Sequence, residues 1–282
     1  MSTHSDSNFR TLFSQMIQKP EEDIQLDRAA LYLAGEEYPE IDVSSHLAEL
    51  DAFAGQISLR LGRVSNQAAP ADLARAIARY LFDEVGFHGN QSEYYDADNS
   101  FLNRVLETRS GIPITLSLIF LEVGRRLGLR CSGVGLPGHF IVGLDGSEEY
   151  LDPFNAGTIL SAGDCRNLVH QMSGGRMEWS DDFLAAYSKH DLLFRILNNL
   201  KSVHMQSGQW AKAVGVIQRM ALINPDLPSL YQEQAWCHAQ QQQYRLAIKS
   251  LETYSQKANN PADAKRAKDQ INGLWATLSR LN

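Results

Sequence analysis

The sequence predicts an α+β protein: a helical N-terminal region, a core of one buried helix with an antiparallel sheet, and a helical C-terminal part. Three observations carry this. Apolar residues recur at helical spacing through residues 8–64 and again from Pro70. Pro113 to Leu127 is apolar almost all round and is followed by short strand-like runs punctuated by glycine. The C-terminal part matches itself at an offset of 34 residues.

The elements follow in order. IQLDRAALYLAG, from Ile24, has helical periodicity. Pro39 and Asp42 break the pattern, and Ser44 or Ser45 is expected to cap the next helix, whose stripe is Leu47, Leu50, Phe53 and Ile57. Pro70 or Ala71 starts another, with stripe Leu73, Ile77, Leu81 and Val85. Gly86 to about Ser100 is polar and strand-poor, so a loop is expected, of a length often tied to function. FLNRVLETRSG reads as a short helix. Pro113 suits a first helical turn, where its missing N–H costs nothing, and Gly128 stops the helix. LRCSGVGL, HFIVGL and EEYLDPF read as three strands. From Asp164 the chain reads as helical again.

Composition narrows the function. The 282 residues suffice for one or two domains with a substantial core. The net charge of −7 argues against general nucleic-acid affinity. Residues 1–190 hold 15 Lys+Arg and 27 Asp+Glu, and residues 191–282 hold 11 and 6. This change of sign, from −12 to +5, suggests a domain boundary, hence domains 1–190 and 191–282. Cys131, Cys165 and Cys237 form neither a disulfide framework nor a zinc spacing. MSTHSDSNFRTLFSQM lacks a signal-like pattern, and no apolar run is long enough to span a bilayer. A soluble cytoplasmic protein is expected, with no membrane partner. No nucleotide, flavin, haem or metal cofactor is expected, since GxxxxGK[ST], CxxCH and HExxH do not occur.

In the repeat, Trp210 falls on Tyr244, Ala213 on Ala247, Val214 on Ile248 and Ile217 on Leu251. The period is that of tetratricopeptide repeats. Gly208, Trp210, Ala213 and Pro225 fit the second half of that motif, while Gln242 and Asn259 stand where glycine and proline recur. Small alanines let antiparallel helices approach closely. Pro261 to Leu281 is expected to cap the stack. Gln240 to Gln243 reads as an exposed helix end. Two such repeats serve either to bind protein segments or to buttress the fold.

SFLNRVLETRSGIPITLSLIFLEVGRRLGL, GLPGHFIVGL and YLDPFNAG together resemble the transglutaminase-like, papain-like core of bacterial SirB-type proteins, which carry C-terminal tetratricopeptide repeats. LYLAGEEYPEIDVSSHLAELDAFA adds to the likeness, which covers about residues 25–260. The wider fold has a Cys at the start of a buried helix, then a His and an Asp on successive strands. The imidazole takes the thiol proton and the carboxylate fixes its tautomer. The resemblance puts His139 and Asp152 in the last two roles, and Pro113 where the Cys would stand. GIPI is the usual form in the SirB-type pattern, so the proline is a family trait and thiol chemistry is in doubt.

Thr115 and Ser117 are possible hydroxyl substitutes, expected on other helix faces than position 113 and to bond local carbonyls. Cys131 lies on the strand after the helix and reads as a small buried hydrophobe. His139 and Asp152 form either a structural or a reactive pair. Asn155 is a candidate for capping or polar binding, and Tyr94 and Tyr95 for contact with a peptide or cationic group. A metal at His139, Asp152 and His88 has no supporting motif. The function expected first is a catalytically impaired protein that binds a protein or peptide partner. The alternative is a hydrolase or acyltransferase on peptide-like amides, using His139 and Asp152 with a non-cysteine attacker.

Overall fold

In the computed structural model, which describes residues 5–62 and 69–281, the chain forms two compact units, Met1–Ile196 and Leu197–Asn282. Residues 63 and 64, the end of the first expected helical stretch, lie outside the described residues.

The first unit begins with α1 (Ser5–Ile17), α2 (Leu26–Gly35) and α3 (Val43–Leu61). Leu47, Leu50, Phe53 and Ile57 of α3 are buried. The cap of α3 is Asp42, not Ser44 or Ser45: its carboxylate accepts from the backbone N–H groups of both serines. α4 (Pro70–Ala78) runs into a wide π-helical turn, Arg79–Glu84. The extra residue in that turn rotates the apolar face. Leu73, Ile77 and Leu81 stay inside, Val85 becomes half-buried, and Phe82 and Phe87 fill the core instead.

The expected loop after Gly86 holds more structure than its composition suggested. β1 (His88–Gly89) pairs in parallel with β2 (Ser110–Gly111), and Ala97–Ser100 is a 3-10 turn before α5 (Leu102–Thr108).

α6 (Pro113–Arg126) is buried at every residue from Pro113 to Gly124. Pro113 occupies the first turn, and Gly128, at φ +76°, follows the last. α6 packs against α2, α3 and α4 on one side and the sheet on the other. Near its C-terminus Glu122 meets Asp27 of α2 in a buried cluster. Arg126 donates to Asp27 Oδ2 at 2.6 Å and to Glu122 Oε2 at 2.9 Å.

The sheet is an antiparallel meander in the order β3 (Cys131–Val134), β4 (Ile141–Leu144), β5 (Tyr150–Asp152) and β6 (Thr158–Leu160). The fourth strand is an addition to the three expected; three residues after a turn carry too little alternation to be seen in sequence. β4 is buried at all four positions because both faces are covered. Beyond it, α7 (Ala162–Met172) closes the second face, where Cys165 and Val169 pack on Val134, Leu136 and Ile141. Residues 173–188 are largely irregular and interrupt the helical stretch expected from Asp164.

α8 (Lys189–Gln206) leads the chain into the second unit. There α9 (Trp210–Ile223), α10 (Pro228–Gln240), α11 (Tyr244–Lys257) and α12 (Pro261–Leu281) stack in sequence. Ala213, Ala247 and Ala267 are fully buried at the helix contacts. The repeat extends to the turns. Gly208 (φ +70°) and Gln242 (φ +59°) take the same left-handed conformation. The next N–H bonds back in the same way, Gln209 to His204 at 2.8 Å and Gln243 to His238 at 2.9 Å. A cavity of ≈ 750 Å³, mostly apolar, opens in this unit between Met205, Trp236, Leu251 and Leu274.

Candidate functional site

His139 is not on a strand but two residues ahead of β4, in the turn that Gly138 (φ +79°) makes possible. Asp152 is the last residue of β5. Antiparallel pairing of the two strands brings the side chains together, Nε2 to Oδ2 at 2.8 Å. Both are buried, at 5% and 2% exposure.

The carboxylate is fully engaged. Oδ1 accepts from the backbone N–H of Phe154 at 3.1 Å and of Asn155 at 3.3 Å. Oδ2 accepts from Asn155 Nδ2 at 2.7 Å. A carboxylate can only accept, so the imidazole presents N–H at Nε2. Asn155, expected as a capping or binding group, is thus a positioning residue for Asp152.

An aromatic chain covers the pair. The His139 ring meets Phe154 edge-on at 6.0 Å, Phe154 meets Tyr94 at 6.1 Å, and Tyr94 meets Tyr95 at 5.4 Å. Tyr94 and Tyr95 therefore reach the site through Phe154. Burial pushes the Tyr94 phenol up, against an opposing pull from Arg195, whereas Tyr95 is 67% exposed. Phe154 and the loop anchor Asn99 were not singled out in sequence. Asn99 is buried, donates to Glu93 O at 2.7 Å, and offers its own carbonyl to Thr115. Nothing in a lone Asn of a polar loop signals that role.

The hydroxyl and thiol candidates separate on geometry. Thr115 Oγ1 has one hydrogen to donate, with Asn99 O at 2.8 Å and Ile112 O at 3.1 Å in reach, and accepts from Ile112 N–H. It closes the first turn of α6 and is spent. Ser117 is one full turn beyond Pro113, so it shares that residue's face, contrary to the expectation from sequence. It is fully buried, and its Oγ has no partner among the described residues. Cys131 lines a separate cavity of ≈ 370 Å³ with Glu122, Arg125, Asp145 and Lys189. Burial, with Asp145 and Glu122, pushes its thiol up to about 12. That is the reverse of an activated nucleophile.

His88 is exposed, its Nδ1 3.0 Å from Gly86 O. Among the described residues no group of three or more His, Cys, Asp and Glu is placed to hold a metal ion, and no helix is long and apolar enough to cross a membrane. Gly133 to Gly138 (GVGLPG) has the GxGxxG spacing, which the expectation of no cofactor passed over. It joins two antiparallel strands and opens no helix, so no helix N-terminus is there for a pyrophosphate. Its glycines answer to packing instead. A Cβ at Gly133 would lie 2.6 Å from the Phe140 ring, and one at Gly135 2.1 Å from Tyr187.

A buried helix beneath an antiparallel sheet that presents a His–Asp pair is the core of a transglutaminase-like protein. The transglutaminase-like superfamily model matches residues 44–198, and a tetratricopeptide repeat model matches residues 200–272. The chain belongs to the transglutaminase-like superfamily and, within it, to the bacterial UPF0162 proteins, the SirB-type family. It is similar to a UPF0162 protein of Xylella fastidiosa, 33% identical over 252 residues that cover 87% of this chain and 88% of that one. It is similar to a second from Pseudomonas aeruginosa, 30% identical over 200 residues, 71% and 72% of the two chains. A shorter stretch is similar to F-box only protein 21 of Homo sapiens, 36% identical over 101 residues, 32% of this chain and 16% of that one.

Proposed function

We propose that this is a catalytically impaired transglutaminase-like protein that binds protein or peptide segments. The observation that carries the reading is Pro113 at the first turn of α6, where the fold's thiol would stand. Acyl transfer by this arrangement needs a sulfur or oxygen that the imidazole can deprotonate and a carbonyl carbon can reach. Proline offers none, Thr115 is committed, and Cys131 belongs to another cavity. The tetratricopeptide unit supports the binding half, with an apolar cavity floored by Leu251 and Leu274 and edged by Trp236, itself 44% exposed. Such a surface suits an apolar side-chain row of a partner segment. We place the protein in the cytoplasm, on its unpaired cysteines, and expect neither nucleic acid nor membrane as partner.

One observation favours the alternative of a hydrolase or acyltransferase: the unpartnered Ser117 Oγ on the Pro113 face. Its full burial weighs against it, because an attacking oxygen must meet substrate. The test is covalent labelling of the native protein with a fluorophosphonate and with iodoacetamide, read by peptide mass mapping. The reading predicts no adduct between residues 110 and 120. A Ser117 or Thr115 adduct that disappears in His139→Ala would sink it.

A further inference from the structure

Lys189 and His190 open α8, at the end of a helix where the dipole disfavours cations. Both reach across to the connection between α1 and α2. Lys189 Nζ donates to Glu22 O at 3.0 Å and to Ile24 O at 2.7 Å. Its backbone N–H, one of those a helix start leaves without an internal partner, donates to Glu21 Oε1. These residues all lie in the first unit, and the function proposed above uses none of them.

The His190 ring sits between two acceptors. Nδ1 is 2.8 Å from Glu21 Oε2, and Nε2 is 2.8 Å from Ile17 O. A carboxylate and a carbonyl can only accept, so both ring nitrogens must donate. Only the doubly protonated imidazolium does that. Ile17 is the last residue of α1, so its carbonyl is one that the helix cannot satisfy itself. The imidazolium closes that carbonyl at the negative end of the α1 dipole.

The neutral ring has a single N–H. The charged Glu21 carboxylate, also held by the Lys189 N–H, is the stronger acceptor and keeps it. Nε2 then turns a lone pair toward Ile17 O, and the two repel. Histidine is the residue type whose charge changes between about pH 5 and 8, and this side chain is 33% exposed, so protons reach it. The groups around it are few. The α1–α2 connection presents Glu21, and α1 presents the Ile17 carbonyl. On α8 itself stand Lys189 and Asp191, the latter committed to Ser188 Oγ at 2.6 Å. Beyond Glu21 and Lys189, a cavity carries Glu122, Arg125, Arg130 and Asp145.

We propose that His190 is a proton-operated latch. Protonated, it fastens the last turn of α1 to the start of α8. Neutral, it lets that turn go. Phe13, Met16 and Ile17, apolar and buried while the latch is closed, are what the opening exposes. The latch tightens as pH falls and loosens as pH rises.

Hydrogen exchange of the full chain at about pH 5.5 and about pH 8 tests this. Protection factors, which remove the pH dependence of the intrinsic rate, are compared for residues 14–24. Those of α5 serve as the reference, because Glu122 changes global stability over an overlapping range. In the native chain, residues 14–24 should lose roughly three- to tenfold protection relative to α5 as pH rises. His190→Gln, whose amide has no charge to gain, should be as loose at the lower pH as at the higher. Level protection in the native chain, or a loss that persists in His190→Gln, overturns the proposal. A second measurement needs no variant. Nitrogen-resolved proton spectra of the native ring should show slowly exchanging N–H signals at both Nδ1 and Nε2 at the lower pH, and lose that of Nε2 at the higher. Absence of either signal at the lower pH overturns the proposal as well.

Discussion

The carboxylate of Asp152 is held by two backbone N–H groups and the Asn155 amide before it reaches His139. That order matters. The imidazole is oriented by a group that is itself immobile, and both sit in the protein interior. Replacing Asn155 by Ala removes a donor to a buried charged acceptor and should lower unfolding free energy by about 1.5–3 kcal/mol. Urea denaturation checks this, and a loss below about 0.5 kcal/mol would show that Asn155 does not position Asp152. A second residue-scale prediction concerns Glu122. Burial, then the charge of Asp27, pushes its carboxyl up from 4.5 to about 7, against the pull of Arg125. Between those values the folded chain holds a proton that the unfolded chain has released, so stability from this group falls as pH rises from about 4.5 to about 7. Glu122→Gln should flatten that slope, whatever it does to absolute stability through the lost arginine contacts. Urea midpoints at several pH values across the window measure it, and an unchanged slope would contradict the assignment. At this scale the family resemblance singled out His139 and Asp152, and the pairing of β4 with β5 brings them together. It was not readable for Asn155, Phe154 and Asn99, whose roles depend on which backbone groups a turn happens to present.

Among the elements, α6 shows how much a pattern can convey. A run apolar on all faces has nowhere to go but the centre, and Pro113 and Gly128 bound it chemically. α4 shows the limit. Its sequence continues a regular helical stripe to Val85, yet the π turn shifts the register and buries Phe82 and Phe87 instead. Two large aromatics gain more from the core than one valine, and tertiary packing overrides periodicity. The helical repeat is legible down to its flaw. Gln242 takes the left-handed turn that Gly208 takes one repeat earlier, and a side chain there costs about 1–2 kcal/mol. Part of that cost returns as Gly's greater freedom in the unfolded chain. Gln242→Gly should therefore stabilise the chain by about 1 kcal/mol, seen as a rise in Tm. A fall in Tm would mean that the Gln242 side chain makes a contact worth more than the strain it imposes.

The whole molecule joins a transglutaminase-like unit to a tetratricopeptide unit, and both were visible in the sequence for different reasons. The second announced itself by period and by small residues at helix contacts. The first was carried by separate motifs in a fixed order, each weak alone. The first unit holds a buried His139–Asp152 pair and a central helix that starts with proline, and the proposed function rests on His139 performing no turnover. The most direct measurement compares the native protein with His139→Ala on a panel of peptide amides and activated esters, at equal fold by circular dichroism. Rates indistinguishable from each other and from background are expected. Turnover by the native protein that His139→Ala abolishes would contradict it, and would make Ser117 the first oxygen to examine.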